Sequence, residues 1–281
     1  MQNSLWRYEM SNWKETSYDS KRRWEENADF WDERMGEHSN RFHREIVRPD
    51  TEKLLSVNKN EKILDIACGN GNFSKRLVEL GAYVTAFDYS EKMIENAKKR
   101  CFDCLDKIDF HVIDATSSDE LLTLDDKGPF DKAVCNMAIM DISDITPLFN
   151  SVYKLLKPGG IFVFSVMHPC FQTPGMRKIT ELEDVGNTIR IRHGIQVFDY
   201  ITPSCYEGIG IKNQPTSQLY YHRPLNELFN ICFNAGFVIN KISEPVFNIE
   251  DESRDFNWFK IPPVIILSLI KIGSNEHSQI G

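Results

Sequence analysis

The sequence predicts an α/β fold, a mostly parallel sheet covered by helices on both faces, with a helical segment before it and an insertion after its fifth strand. Three observations carry this. From Lys62 onward, short apolar runs alternate with amphipathic stretches. The runs are solid rather than alternating in polarity, as strands buried on both faces are. Glycine or proline stands at many of the joins, where the chain must leave one element for the next. The expected divisions are a helical cap (1–60), a core (61–168), an insertion on the substrate side (169–222), the remainder of the core (223–272) and a tail (273–281).

The first sixty residues are rich in both charge signs and read as helical, yet they hold Trp6, Trp13, Trp24 and Trp31. Aromatic side chains on a polar segment suit a flap over an apolar site, or an amphipathic helix covering the core edge. The first strand, Ile63 to Ile66, enters the loop Ala67 to Asn72 and a helix to about Leu80, which Gly81 closes. "YVTAFD" is the second strand. Ser90 can N-cap the next helix, through about Arg100, with Glu91 in its favourable first turn. "DFHVIDA" and "DKAVCNMA" are the third and fourth strands. A helix from about Ile145 to Leu156 ends at "KPGG", and "IFVFSVMH" is the fifth strand. From Pro169 to Tyr221 the rhythm breaks into strand-like fragments amid Pro, Gly and Thr, the composition of a lid or substrate wall. Pro224 starts a helix that Gly236 stops. "FVINKISEPVF" and "PVIILSLIK" are the last two strands of seven.

Composition narrows the class. The 281 residues suit one large domain, or one domain with an insertion. A hydrophobic fraction of 41% with 11% aromatic residues supplies a core and excludes wholesale disorder. The net charge of -8, with both signs interspersed, argues against a polyanion-binding face, so no nucleic-acid partner is expected. The N-terminal "MQNSLWRYEMSNW" lacks the apolar stretch of a secretory signal. "IPPVIILSLI" falls short of the ~20 apolar residues of a membrane span and reads as a buried strand, so no membrane partner is expected. Of seven scattered cysteines only Cys101 and Cys104 form a C-x-x-C, without a second pair or a nearby His. No metal site is expected, and the expected compartment is a reducing cytoplasm.

The loop after the first strand stands where open parallel sheets bind ligands, at the strands' carboxyl ends. Gly69 and Gly71 lack Cβ atoms, so the backbone can turn sharply and approach a ligand. The following helix aims its N-terminal N–H groups at the same place. A dinucleotide fingerprint needs a third glycine where Ser74 stands. The other pattern places an acid on the strand, as Asp65 is placed, followed by small residues at Ala67, Gly69 and Gly71. "ILDIACGNGNFS", with "YVTAFD", "DYSEKMIENAKKR" and "LLKPGGIFVFSV", resembles the class I S-adenosylmethionine (SAM) methyltransferases. The likeness is to the type 11/type 25 methyltransferase-domain group, which includes quinone C-methyltransferases. It covers about Glu61 to His168 and continues over Pro224 to Phe247.

The resemblance implies a Rossmann-like seven-stranded sheet, SAM as cofactor and S-adenosylhomocysteine (SAH) as product. It places Asp65, Ala67, Cys68, Gly69 and Gly71 around the cofactor, Ala67 being a common variant of the first glycine. It gives Asp88 the two ribose hydroxyls, which a carboxylate can accept together. Tyr89 and Met93 would lie near the adenine, Asp114 and Ala115 at its amino group, and Asn136 and Met137 at the methionine end. "NADFWDERMGEHSNRFHREIVRPDTEKLL" is similar to the N-terminal flank of a subset of bacterial methyltransferases, making Trp31, Asn40 and His43 candidates for the substrate side.

Methyl transfer from a sulfonium is an in-line displacement for which the protein supplies alignment and water exclusion. A base is needed only if the nucleophile holds a proton tightly. His168 is the first candidate, directly after the fifth strand, with an imidazole that titrates near neutrality. The alternative is a structural His before Pro169. His222 and Tyr221 come second, and Tyr206 and Tyr220 read as walls of an aromatic pocket. The fourth strand leads into "NMAIMD" rather than [DN]-P-P-[YFW], which disfavours methylation of planar amide-like nitrogens. Pro169-Cys170 follows the wrong strand for a cytosine-C5 nucleophile. The expectation is methyl transfer to O, N or C of a small organic acceptor. A SAM-binding regulatory protein and an RNA or protein methyltransferase are the alternatives, and a homodimer is left open.

Overall fold

The computed structural model describes residues 13–248 and 258–273; Trp6 and the tail beyond Gly273 lie outside the described residues. The chain opens with α1 (Trp13–Met35), then a π-helical turn (His43–Val47) running into α2 (Arg48–Leu55). Next come β1 (Lys62–Ile66), α3 (Asn72–Glu79), β2 (Tyr83–Asp88), α4 (Glu91–Arg100) and β3 (Ile108–Val112). They are followed by α5 (Ser118–Leu122), β4 (Phe130–Asn136), α6 (Thr146–Leu155) and β5 (Leu156–Met167). Two ribbons follow, β6 (Arg177–Val185) with β7 (Thr188–Gln196), and β8 (Ser204–Gly208) with β9 (Gln218–His222). The chain then forms α7 (Leu225–Asn234), β10 (Phe237–Ser243) and β11 (Val264–Lys271).

Seven strands form one sheet in the order β10-β11-β5-β4-β1-β2-β3. Pairing is parallel from β3 through β5. β11 runs antiparallel to both of its neighbours. The chain first builds outward from β1 to β3 and then returns to add β4 on the other side of β1. The carboxyl ends of β1 and β4 therefore flank the switch point, where such sheets leave a crevice. Adjacent residues of each strand serve opposite faces. Leu64, Phe162 and Phe164 pack with Phe149 and Val152 of α6 and Leu228 of α7. Ile63, Val84 and Val163 pack with Leu54 and Leu55 of α2 and Leu77 of α3.

Local signals were read largely as the chain uses them. The Ser90 hydroxyl accepts the Met93 N–H at 3.1 Å, capping α4. Gly81 and Gly236 follow their helices at φ 98° and 97°, in the left-handed region that glycine enters without a Cβ clash. "KPGG" behaves differently from expectation. α6 ends at Leu155, and the motif opens β5 instead of separating it from the helix. The ladder jumps from Phe130↔Leu156 to Lys132↔Ile161, because Pro158 has no N–H to offer it and the chain bulges there.

The insertion divides its work. β6–β7 is a hairpin whose nine β6 residues are all exposed. All five residues of β9 are buried. α1 lies across α4 and β9. The buried Asn27 locks it to the ribbon, donating to the Thr216 carbonyl at 2.8 Å and accepting the Thr216 N–H at 3.0 Å. Among the described residues no helix is long and apolar enough to cross a membrane.

Candidate active site

A cavity of about 650 Å³ opens at the carboxyl ends of β1, β2 and β4, under α1 and beside β8–β9. Its floor is the loop after β1, where Ala67, Gly69 and Gly71 have φ of 51°, 53° and 78°. All three small residues thus sit in the left-handed region, and Ala67 bears the cost of its methyl there. A Cβ on Gly69 would meet nothing within 4 Å, since it would point into open space. A Cβ on Gly71 would lie 2.9 Å from Ala97 Cβ of α4. Gly71 is not among the residues lining the cavity, and its missing Cβ lets α4 dock against the loop.

Three acids surround this loop. Asp65 is 2% exposed, and its carboxylate accepts the Ser74 hydroxyl at 2.5 Å. Burial pushes its carboxyl up to about 7 against that bond. Asp88 accepts the Gly69 N–H on Oδ2 and the Ser90 N–H on Oδ1, both at 3.0 Å. Those bonds fix its carboxylate at the end of β2, while burial pushes it up to about 6. Asp114 uses Oδ1 to accept the Thr116 N–H and hydroxyl at 2.8 Å each. On the far side of β1, Asn136 Oδ1 accepts the hydroxyls of Thr51 and Ser165 at 3.1 and 3.2 Å. Met137, at φ 53°, turns the chain away from β4 there.

Of the residues expected at the cofactor, Asp65, Ala67, Cys68, Gly69, Asp88, Tyr89, Met93, Asp114, Ala115, Asn136 and Met137 all line this cavity. So do the expected substrate-side residues Trp31, Asn40, His43, Tyr206 and Tyr220. His43 is a neutral group: burial takes its imidazole down to about 4, and Nδ1 lies 3.0 Å from Asn40 Oδ1.

The three catalytic candidates stand elsewhere. His168 Nε2 pairs with the Glu244 carboxylate at 2.7 Å, and Nδ1 accepts the Cys170 N–H at 3.2 Å. Its N–H continues the β5–β11 pairing by donating to the Pro263 carbonyl at 3.0 Å, and His168 is not among the residues lining the cavity. His222 Nε2 lies 2.7 Å from the Tyr200 carbonyl. Tyr221 shares a hydrogen bond with the Thr16 hydroxyl at 2.6 Å and stacks near Trp13. The two-residue period of β9 explains Tyr221: Gln218 and Tyr220 face the cavity, so Leu219 and Tyr221 face the other way.

The cavity also has lining residues that sequence reasoning passed over. Asp141, in the short turn Ile139–Asp141, is 8% exposed, and burial pushes its carboxyl well above the usual range. Gln218 Nε2 approaches Asp141 Oδ1 at 3.5 Å, while Gln218 Oε1 has no hydrogen-bond partner among the described residues. An acid closing the apolar run "NMAIMD" was a readable signal; a glutamine opening a strand gave none. Gly208 and Gly210 let this wall close: a Cβ on Gly208 would overlap the Tyr220 ring. A Cβ on Gly210 would sit 2.8 Å from Gln218 Oε1, 2.8 Å from the Trp31 ring and 3.0 Å from the Tyr220 hydroxyl.

Comparison with known proteins places this geometry. A ubiquinone biosynthesis O-methyltransferase of Xanthomonas oryzae pv. oryzae is 30% identical over 107 residues, 38% of this chain and 43% of that protein. The chain thus spans less than half the length of the curated relatives it matches. A crystal structure of an S-adenosylmethionine dependent methyltransferase from Mesorhizobium loti superposes with a TM-score of 0.61 at 24% identity, covering 79% of this chain and 96% of that one. The CcbJ methyltransferase of Streptomyces caelestis does so with a TM-score of 0.59 at 14% identity, covering 91% and 100%. These structures share the fold. The model of a methyltransferase-domain family matches residues 57–212, from the lead into β1 to the second ribbon, and the chain belongs to that family, within the class I SAM methyltransferases.

Proposed function

We propose that the chain is a SAM-dependent methyltransferase acting on a small organic acceptor. One observation carries the reading: Asp65, Asp88 and Asp114 converge with the β1 loop on one end of a cavity whose other end is walled by aromatic side chains from α1 and β8–β9. The residues fit the cofactor. Asp88 is held by two backbone N–H groups with a carboxylate suited to a cis-diol, and Asp114 Oδ2 has no hydrogen-bond partner among the described residues. The missing Cβ of Gly69 leaves room for a ligand against the backbone. When bound, the cofactor supplies an electrophilic methyl group. The chain's own part is to align the acceptor and keep water out, which a roof built from Trp24 and Trp31 serves.

The test is calorimetric binding of SAH to the wild-type chain and to Asp88→Ala, followed by acceptor-dependent SAH release from SAM in a metabolite extract. Asp88→Ala is expected to weaken SAH binding by about 1.5–3 kcal/mol, the value of hydrogen bonds to a charged group. Unchanged affinity would refute the site. Binding of SAM without acceptor-dependent turnover would favour a regulatory protein instead.

A further inference from the structure

We propose that the acceptor is a cationic amine, anchored by Asp141 and Gln218 inside the aromatic wall formed by Trp24, Trp31, Tyr206 and Tyr220. This rests on reading the cavity as a methyl-transfer site and names what occupies its second half.

Charge is the first argument. The described residues lining the cavity include the carboxyl groups Asp65, Asp88, Asp114 and Asp141, and a single guanidinium, Arg48. Arg48 is turned to Glu52, at 3.8 Å. His43 adds no charge near neutrality. Asp65, Asp88 and Asp114 lie at the cofactor end. Asp141 stands apart from the β1 loop, in the turn after β4, buried with the Gln218 amide at 3.5 Å and within electrostatic reach of Asp88. Burial raises that carboxyl well above the usual range, so it ionises only beside a counter-charge. An ammonium group supplies one; a phenolate or carboxylate would be repelled.

Hydrogen bonding is the second, independent argument. Gln218 is 1% exposed, and its Oε1 is an orphaned acceptor among the described residues. A buried acceptor left unpaired is destabilising, and a ligand donor relieves it. Asp141 and Gln218 Oε1 both want N–H groups, and an ammonium carries several. The third argument is the wall. Trp24 and Trp31 lie with ring centroids 5.1 Å apart, and Tyr206 and Tyr220 5.7 Å apart. Aromatic faces around a desolvated cation attract it through the ring quadrupole. Once the ammonium is held, the Asp141 carboxylate can accept one of its protons. The N–H bond breaks, an O–H bond forms, and the amine keeps the lone pair that a nucleophile needs.

The test uses the full chain saturated with SAH and three probes of similar shape: 2-phenylethylamine, 2-phenylethanol and 3-phenylpropionate. Calorimetry is expected to show the amine binding at least about ten-fold tighter than the alcohol, and no binding of the carboxylate. Asp141→Asn should weaken the amine by about ten-fold or more while leaving SAH affinity unchanged. Equal affinity for alcohol and amine, tighter binding of the carboxylate, no binding of any probe, or an amine affinity indifferent to Asp141→Asn would each overturn the proposal. If Asp141→Asn fails to bind SAH, the ranking of the three probes on the wild-type chain decides alone. Failure of SAH to bind the wild-type chain, measured before any probe is added, would overturn the cofactor reading instead.

Discussion

The Cβ that Gly71 lacks would stand 2.9 Å from the Cβ of Ala97 and 3.3 Å from the sulfur of Cys101. The glycine loop is therefore shaped by α4 as much as by its ligand. Gly71→Ala should destabilise the fold by about 2–4 kcal/mol, combining overpacking with a left-handed φ. Gly69→Ala, with open space around it, should cost about 1–2 kcal/mol from φ alone and weaken SAH binding. Urea denaturation of the two variants measures the difference. Equal losses would mean that α4 moves aside freely.

Much of this architecture could be read before the structure. Strands, caps and the β1 loop are local: Ser90, Gly81 and the solid apolar runs act within a few residues of themselves. The cofactor end was legible for the same reason, since Asp65, Asp88 and Asp114 each close or precede a recognisable turn. Of the other lining residues, Trp31 was readable as a substrate-side residue and Tyr206 and Tyr220 as aromatic walls, but the pairing of Asp141 with Gln218 was not. Asp141 and Gln218 meet only because β9 lies beside the turn after β4, and no local pattern records that. The position of His168 at the end of β5 was correct, yet its direction depends on pairing with Glu244, 76 residues away. The roles expected of Gly69 and Gly71 looked alike in sequence and separate only when α4 is in place.

The acids of the cavity give the ligand-free protein a defined pH response. Asp65 and Asp88 have carboxyls raised to about 7 and about 6, from 3.8. Between the unfolded and folded values the native state holds protons that the unfolded chain releases. Stability from these two groups is thus full below about pH 4 and is lost as pH rises through 6 to 7. For Asp65 the loss is on the order of 4 kcal/mol. Thermal melts should show a higher Tm at about pH 5.5 than at about pH 8, and Asp65→Asn should flatten the difference. The added stability from SAH should run the other way. The ribose bonds proposed for Asp88 need it ionised, so SAH should bind more weakly below about pH 6. A Tm independent of pH would contradict the buried placement of these acids.

His168 should act as a structural residue. Its Nε2 is held by Glu244 at 2.7 Å, and its ring lies 4.4 Å from that of Phe171, centroid to centroid. His168→Ala should lower stability by about 1–3 kcal/mol through the lost pair and packing. SAH affinity and acceptor-dependent SAH release per folded molecule should stay within about two-fold of wild type, a change worth less than half of 1.4 kcal/mol. A turnover loss of a hundred-fold with intact SAH binding would restore His168 as the base.

Arg100 ties the C-terminal end of the α1 roof to the glycine loop. Arg100, 5% exposed at its side chain, donates Nη1 to Glu37 at 2.9 Å, Nη2 to Asp32, and Nε to the Asn70 carbonyl at 3.0 Å. Asn70 Nδ2 in turn donates to Asp32 Oδ1 at 2.9 Å. One side chain from α4 thus joins the glycine loop to the end of α1. Removing it leaves Asp32 and Glu37 without their cation and loosens the end of α1 beside the glycine loop. Arg100→Ala should raise the dissociation rate of SAH by about ten-fold or more, the equivalent of one charge-assisted bond. It should also expose α1 to limited proteolysis when SAH is absent. Stopped-flow displacement and a trypsin time course measure the two effects. If release is unchanged while α1 becomes cleavable, the roof does not retain the cofactor.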